Sequence, residues 1–339
     1  MGVKIIVLGG GESDERDVSS TSAAAVASAL RTLGHEVEEV DPARWPEPAQ
    51  FRSDVPPEPP DQDETIRLTE RVRANLTTPE FWQQLRAADL VFLALHGGIG
   101  ESGHLRACLE LQQIRSTGAD SLTVMNAWNK LRARHQFERA GIPVPAGRVA
   151  SPAMTDDELA KLLDELGGDA VVKPITGGST IGVNRVRSTA EFRQALAEIG
   201  ASALAETRLD GSEFTVAVVA DECLPPVMIQ PKEGWFGYAA KYQPKASLEL
   251  CPAPVSPELT ERLCTTALAA ARSLGFDEHS YARVDLMLDD AGVPRCLEVN
   301  ALPGLTPNSL LPRAAAAVGW SFPALVERLL GLTGADAAL

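Results

Sequence analysis

Residues 281–304 read YARVDLMLDDAGVPRCLEVNALPG. Two β-type runs flank the turn signal DDAG, which predicts a hairpin. Side chains two apart on a strand share a face, so Arg283 and Asp285 point one way from the first strand. Glu298 and Asn300 likewise share a face of the second. Val284, Leu286, Leu288, Leu297 and Val299 suit burial on the other face. Two carboxylates and an amide above a buried sheet are costly unless something neutralises them. A hard divalent cation does so, and Mg²⁺ held by one or two carboxylates plus phosphate oxygens is the usual form. A hairpin with a solvated polar face is the alternative. The cation reading constrains the register. Asp285 and Glu298 share a face only if the hairpin loop is even-numbered, such as Ala291-Gly292 alone, or if a bulge compensates.

With 339 residues the chain is long enough for two or three domains. Hydrophobic content of 45% with mixed charges predicts a filled core, not disorder. The net charge of −15, from 31 basic against 46 acidic residues, and the lack of a basic stripe exclude nucleic acid as a main partner. Partners bringing cations or ammonium groups suit it better. The five cysteines are scattered with no CxxC pair and read as thiols of a reducing compartment. The apolar run in MGVKIIVLGGG is too short for a secretory signal or a membrane span, so a cytoplasmic location with no membrane contact is expected.

Working outward from the hairpin, VKIIVL at 3–8 reads as a buried parallel strand and is followed by a glycine turn at 9–11. A helix capped by Ser19 and Ser20 runs to Gly34, then HEVEEVD forms a second strand, giving a βαβ unit. Residues 42–62 are rich in proline and charge and predict an irregular, exposed excursion. A helix and an apolar strand ending near His96 complete an open α/β sheet in residues 1–124. A helix at 127–140, strands near 146–149, 170–173 and 182–186, and a helix near 155–166 describe a smaller α+β lobe in 125–205. Residues 206–339 hold further strands, a helix near 257–274, the hairpin and a final amphipathic helix near 322–332.

A dinucleotide site needs G-x-G-x-x-G between strand and helix. Here Gly9 and Gly11 are followed by Asp14, and Glu12, Glu15 and Asp17 add a field that repels pyrophosphate. That field attracts an amino-acid ammonium group; a solvated acidic loop is the alternative. No P-loop motif occurs. Instead Lys173 precedes TGGST at 176–180, whose backbone N–H groups can approach phosphate oxygens. Lys130, early on a helix, is a second candidate cation. With the hairpin these residues describe an ATP site between two lobes.

In this order the chain resembles the D-alanine–D-alanine ligases of the ATP-grasp superfamily. The resemblance rests on ERDVS near the start, ALHG at 94–97, NKLRA at 129–133, VVKP with GGSTIGV, EFTVAV, AAKY with CPAP, YARVDLML, and LEVNALPGLTPNSLLP. It implies a three-domain ATP-grasp ligase whose amino-terminal domain is an open α/β sheet. It implies ligation of two D-alanines through a D-alanyl phosphate, for peptidoglycan precursor synthesis. By the same resemblance Glu15 holds the first ammonium group, with Ser179, Tyr242 on a lid near 234–245, and His96 beside it. Lys130, Lys173 and Lys241 surround the phosphates. Glu206 and Leu209 meet the adenine, and Glu213 the ribose. Arg283 and the Gly304 backbone steady the transition state. Asp285, Glu298 and Asn300 hold two Mg²⁺ ions, for which Mn²⁺ substitutes. Ser309 and Leu310 take the second substrate's carboxylate. D-alanine and ATP are the expected ligands and a homodimer the expected assembly. The chain departs from the pattern at Gly177, where many relatives carry Glu, and at Ala301, where Thr or Ser is common. A ligase making D-Ala-D-Ser or a secondary-metabolite dipeptide, and a non-catalytic ATP-binding relative, are the alternatives.

Overall fold

The structure is a computed structural model that describes residues 2–56, 58, 60–231 and 247–333. Its first sheet is parallel, with β1 (Lys4–Leu8) between β2 (Glu36–Val40) and β3 (Leu90–Leu93). Ile5 through Leu8 are fully buried because both faces of β1 are covered, which is why the run lacks alternation. The first helix spans Arg16–Thr32 and so begins ahead of the serines expected to cap it. Ser19 and Ser20 lie inside it, where Ser19 Oγ donates to the Ala94 carbonyl (3.0 Å) and Ser20 Oγ accepts from Arg52 N–H (2.7 Å). Its end is as expected: Gly34 at φ +87° and His35 return N–H bonds to Arg31 and Leu30.

The 42–62 excursion is irregular but not simply exposed. Ala43 is fully buried, and Trp45 packs edge-to-face on Phe81 at 5.6 Å. Apolar residues scattered among prolines found a core to join. A helix not read from sequence follows at Gln62–Leu76, capped by Asp61, whose carboxylate accepts from Glu64 N–H (2.7 Å).

The second sheet is antiparallel with order β4-β7-β5-β6, from β4 (Gly147–Ala150), β5 (Ala170–Pro174), β6 (Asn184–Val186) and β7 (Ala203–Thr207). Helices Asp156–Glu165 and Thr189–Ile199 share its core through Leu159, Leu162, Phe192 and Leu196. The single helix expected at 127–140 is two, Ser121–Trp128 and Lys130–Arg139. Asn129 breaks it because its side chain caps the second piece, accepting from Leu131 N–H (3.1 Å) and Arg132 N–H (3.0 Å). Lys130 thereby starts a helix.

The third sheet has six strands: β8 (Glu213–Val219), β9 (Glu222–Cys223), β10 (Val227–Pro231), β11 (Ser247–Leu250), β12 (Tyr281–Leu288) and β13 (Pro294–Asn300). Their order is β11-β10-β8-β12-β13, with β9 paired to β8. Helix Pro257–Leu274 packs on it through Leu263, Ala267 and Ala271. The closing helices, Leu310–Ala317 and Phe322–Gly331, return to the first domain, where Leu325, Val326 and Leu329 share a core with Val26 and Leu30. No described helix is long and apolar enough to cross a membrane. All five cysteines are free thiols.

Candidate active site

In the β12–β13 hairpin Arg283 lies opposite Asn300 and Asp285 opposite Glu298. The last pair is Leu288 with Pro294, leaving an odd loop of five residues, 289–293. A bulge between Asp285 and Leu286 restores the face, so the register condition is met by the bulge and not by an even loop. The extra residue is Leu297. It was expected on the buried face; instead it stands beside Glu298 and lines a cavity. Asp285 is buried and held on two sides. Arg283 donates to it through Nε (2.9 Å) and Nη2 (2.8 Å), and Thr215 Oγ1, from the paired strand β8, donates at 2.6 Å. Glu298 faces Lys130 Nζ at 3.4 Å, and Asn300 Oδ1 accepts from Leu302 N–H at 3.0 Å.

The glycine loop approaches from the second sheet. Lys130 Nζ donates to the Gly177 carbonyl (2.5 Å). Ser179 and Thr180 adopt left-handed backbones at φ +49° and +63°. Ser179 Oγ there donates to Glu15 Oε1, 164 residues away. A Cβ on Gly178 would lie 2.6 Å from Glu15 Oε2, so the close approach requires glycine. Behind the loop, Lys173 Nζ meets one oxygen of buried Glu206 at 2.6 Å and Arg134 meets the other at 3.0 Å.

The acidic amino-terminal loop resolves into separate roles. Glu12 accepts from Ile99 N–H (2.6 Å), Asp14 from Thr65 (3.3 Å), and Asp17 lies 3.6 Å from Arg52. Burial pushes the Glu12 and Asp14 carboxyls above the usual range. Of the loop's carboxylates, Glu15 lines the main cavity. Glu101, not singled out by sequence, is buried nearby; burial first and the Glu15 charge second push its pKa up to about 8. His96 also lines this cavity, but both ring nitrogens are engaged, Nε2 at 2.9 Å from Ser22 Oγ and Nδ1 at 2.7 Å from the Leu302 carbonyl. Burial holds its imidazole below its ordinary pKa.

Two cavities adjoin. One of about 680 Å³ gathers Glu15, Ser179, Arg283, Gly304, Ser309 and Leu310. The other, of about 500 Å³, gathers Lys173, Glu206, Leu209 and Leu297. Lys130, Gly177, Glu213, Asp285 and Glu298 line both. The structure thus brings the expected cations, carboxylates and glycine loop to one place. Lys241, Tyr242 and the expected lid lie outside the described residues. Sequence reasoning missed Thr215, Arg134, Glu101 and Leu297. Thr215 carried a signal, as the one polar residue inside an apolar strand at EFTVAV. Gly304 leaves room for Ser309, whose Oγ would lie 2.9 Å from a Cβ there. An acidic pair beside lysines and an arginine can bind a polyphosphate together with a cation, next to a pocket with a carboxylate for an ammonium group.

Residues 4–119 match the family described as D-ala D-ala ligase N-terminus, and 137–331 that described as D-ala D-ala ligase C-terminus. A D-alanine–D-alanine ligase of Oleidesulfovibrio alaskensis is 36% identical over 334 residues, 97% of this chain and 96% of the relative. Among solved structures, D-alanine–D-alanine ligase from Bacillus anthracis complexed with ATP superposes with a TM-score of 0.77 at 26% identity, covering 98% of this chain and 97% of that one. VanG D-Ala:D-Ser ligase from Enterococcus faecalis gives the same TM-score, 0.77, at 24% identity, covering 98% and 100%; this likeness is one of fold.

Proposed function

The chain belongs to the D-alanine–D-alanine ligase family, and from that premise we propose an ATP-dependent ligase that joins two D-alanines for cell-wall precursor synthesis. One observation carries the site assignment: Glu15 with Ser179, and Arg283 with Asp285 and Glu298, meet around a single cavity that opens onto a second, lysine-flanked one. The larger cavity suits the amino acids and the smaller the nucleotide.

A carboxylate is a poor acyl donor, and transfer of the γ-phosphoryl group to it makes an acyl phosphate. In this reading Glu15, oriented by Ser179, holds the ammonium group of the first D-alanine. Lys130 and Lys173 neutralise phosphate oxygens, a role that Lys241 shares in this reading, while Tyr242 joins Ser179 beside the first D-alanine. Leu209 and Leu297 flank the adenine, with Glu206 at its edge and Glu213 toward the ribose. Ser309 and Leu310 seat the carboxylate of the second D-alanine, whose amine attacks the acyl phosphate. Arg283 and the Gly304 N–H receive the negative charge that develops on the carbonyl oxygen, a contribution of roughly 2.7–4 kcal/mol per donor in comparable sites.

The residues present fit Mg²⁺. Asp285 and Glu298 are opposed on one face and Asn300 follows, giving oxygen ligands only. Among the described residues no group of three or more His, Cys, Asp or Glu gathers; two carboxylates and an amide match the few protein ligands that Mg²⁺ takes at nucleotide sites. Bound there, the cation would screen the phosphate charge and hold the γ-phosphoryl group in line. Division into residues 1–124, 125–205 and 206–339 belongs to the same proposal. Each span carries one sheet, save that β7 ends at Thr207. So does a cytoplasmic homodimer, for which Leu111 and Leu122, 85% and 64% exposed, offer apolar surface in the amino-terminal region.

Phosphate release over a panel of D- and L-amino acid pairs tests the reading. D-Ala alone is expected to give the fastest release with ATP and Mg²⁺. Turnover with D-Ala plus D-Ser but not with D-Ala alone would overturn the substrate assignment, and none with any pair would overturn catalysis.

A further inference from the structure

We propose that Ser22 and His96 form a positioning pair that fixes residues 302–305, and with them the Gly304 N–H. This deepens the ligase reading above and rests on it for its catalytic consequence. Ser22 is fully buried in the first helix, and His96 is buried after the end of β3. Leu305 N–H donates to Ser22 Oγ at 3.2 Å, Ser22 Oγ is 2.9 Å from His96 Nε2, and His96 Nδ1 is 2.7 Å from the Leu302 carbonyl.

The two ends of this chain and the neutral state of its buried ring fix the direction of each bond. A backbone carbonyl only accepts, so His96 Nδ1 carries the proton. A backbone N–H only donates, so Ser22 Oγ accepts it, and with the buried ring neutral and protonated at Nδ1 the serine proton goes to the bare Nε2. The ring is then a neutral Nδ1–H tautomer with no capacity left for a substrate. Its burial favours the same neutral form. His96 therefore acts through the loop and not on the ligand.

The loop is pinned at three points: Leu302 N–H by Asn300 Oδ1, the Leu302 carbonyl by His96, and Leu305 N–H by Ser22. Gly304 lies between the second and third. A glycine segment is otherwise free to rotate, whereas a donor aimed at a developing oxyanion must be fixed beforehand. Two side chains of the amino-terminal domain thus set an N–H that belongs to the carboxy-terminal one. The docking of the two domains and the placement of that donor become one event.

The test uses Ser22→Ala and His96→Asn in the full chain. Asn keeps a donor at the Nδ1 position but cannot reach Ser22. Both variants are expected to lower kcat about tenfold or more while KM for ATP stays within twofold, and the double variant to be no worse than the weaker single. In wild type, ¹⁵N imidazole spectra should show Nδ1 protonated and Nε2 bare. Exchange of the Leu305 amide should quicken at least tenfold in Ser22→Ala. Unchanged kcat with only a lowered melting temperature, or an Nε2–H tautomer, would overturn the proposal. If Ser22→Ala does not fold, the wild-type tautomer decides alone. A wild type with the expected tautomer and exchange that makes no D-alanine dipeptide supports the pairing and defeats the ligase reading instead.

Discussion

Glu15 and Glu101 are both buried beside the main cavity, and they differ in what holds them. Glu15 accepts from Ser179 and lines the cavity with Arg283, so its charge faces the space proposed for the substrate ammonium group. Glu15→Gln removes a charged partner in a partly dry site, a loss of roughly 1.5–3 kcal/mol, on the order of ten- to a hundredfold in affinity. The first D-alanine should weaken by that amount, with ATP binding little changed; equal losses for both ligands in titrations would show the loop to be structural. Glu101 has a backbone hydrogen bond from Gly97, but burial and the Glu15 charge outweigh it and raise its pKa to about 8. The folded state then holds its proton where the unfolded state has lost it. Stability from this group is full below pH 4.5 and declines as pH rises through about 8. Glu101→Gln should therefore raise the melting temperature more at pH 8.5 than at pH 5. The same increment at both would contradict the assignment.

At the level of elements, the hairpin shows what local patterning conveys. A period of two placed Asp285 and Glu298 on one face, and they are opposed in the structure. The same period put Leu297 on the wrong face, because a bulge changes the count by one and leaves no mark in the alternation. Leu297→Ala should raise KM for ATP about fivefold, from roughly 1 kcal/mol of lost apolar contact, and leave KM for D-alanine alone. A shift confined to D-alanine would move Leu297 out of the nucleotide pocket. Other elements were missed although their signals were present. Ser188 with Glu191, and Gly200 at φ +68°, cap the Thr189–Ile199 helix at both ends. Asn129 stops one helix and starts the next through a side-chain cap that a purely apolar reading overlooks.

For the whole molecule, the βαβ unit, the glycine loop after Lys173 and the hairpin were legible because each carries its own local signature, whereas Glu206, Leu209, Glu213, Ser309 and Leu310 were reached only through the resemblance of the whole motif order to a family. Contacts between distant segments were beyond that reading. Ser22 meets Leu305 across 283 residues, and Arg134 meets Glu206 across 72. The 42–62 excursion was read as exposed, yet its residues 52–55 line the main cavity. Assembly belongs to this scale too. Light scattering at micromolar concentration should give the mass of two chains, and the mass of one would contradict the dimer. The central claim is that a D-alanine carboxylate is phosphorylated by ATP and then displaced by a second D-alanine. Its most direct test is D-alanine labelled with ¹⁸O in the carboxylate, incubated with the protein, ATP and Mg²⁺. The account predicts D-alanyl-D-alanine and one ¹⁸O in each phosphate released, since the carboxylate oxygen leaves with the phosphoryl group. Phosphate without label, or no dipeptide, would contradict it.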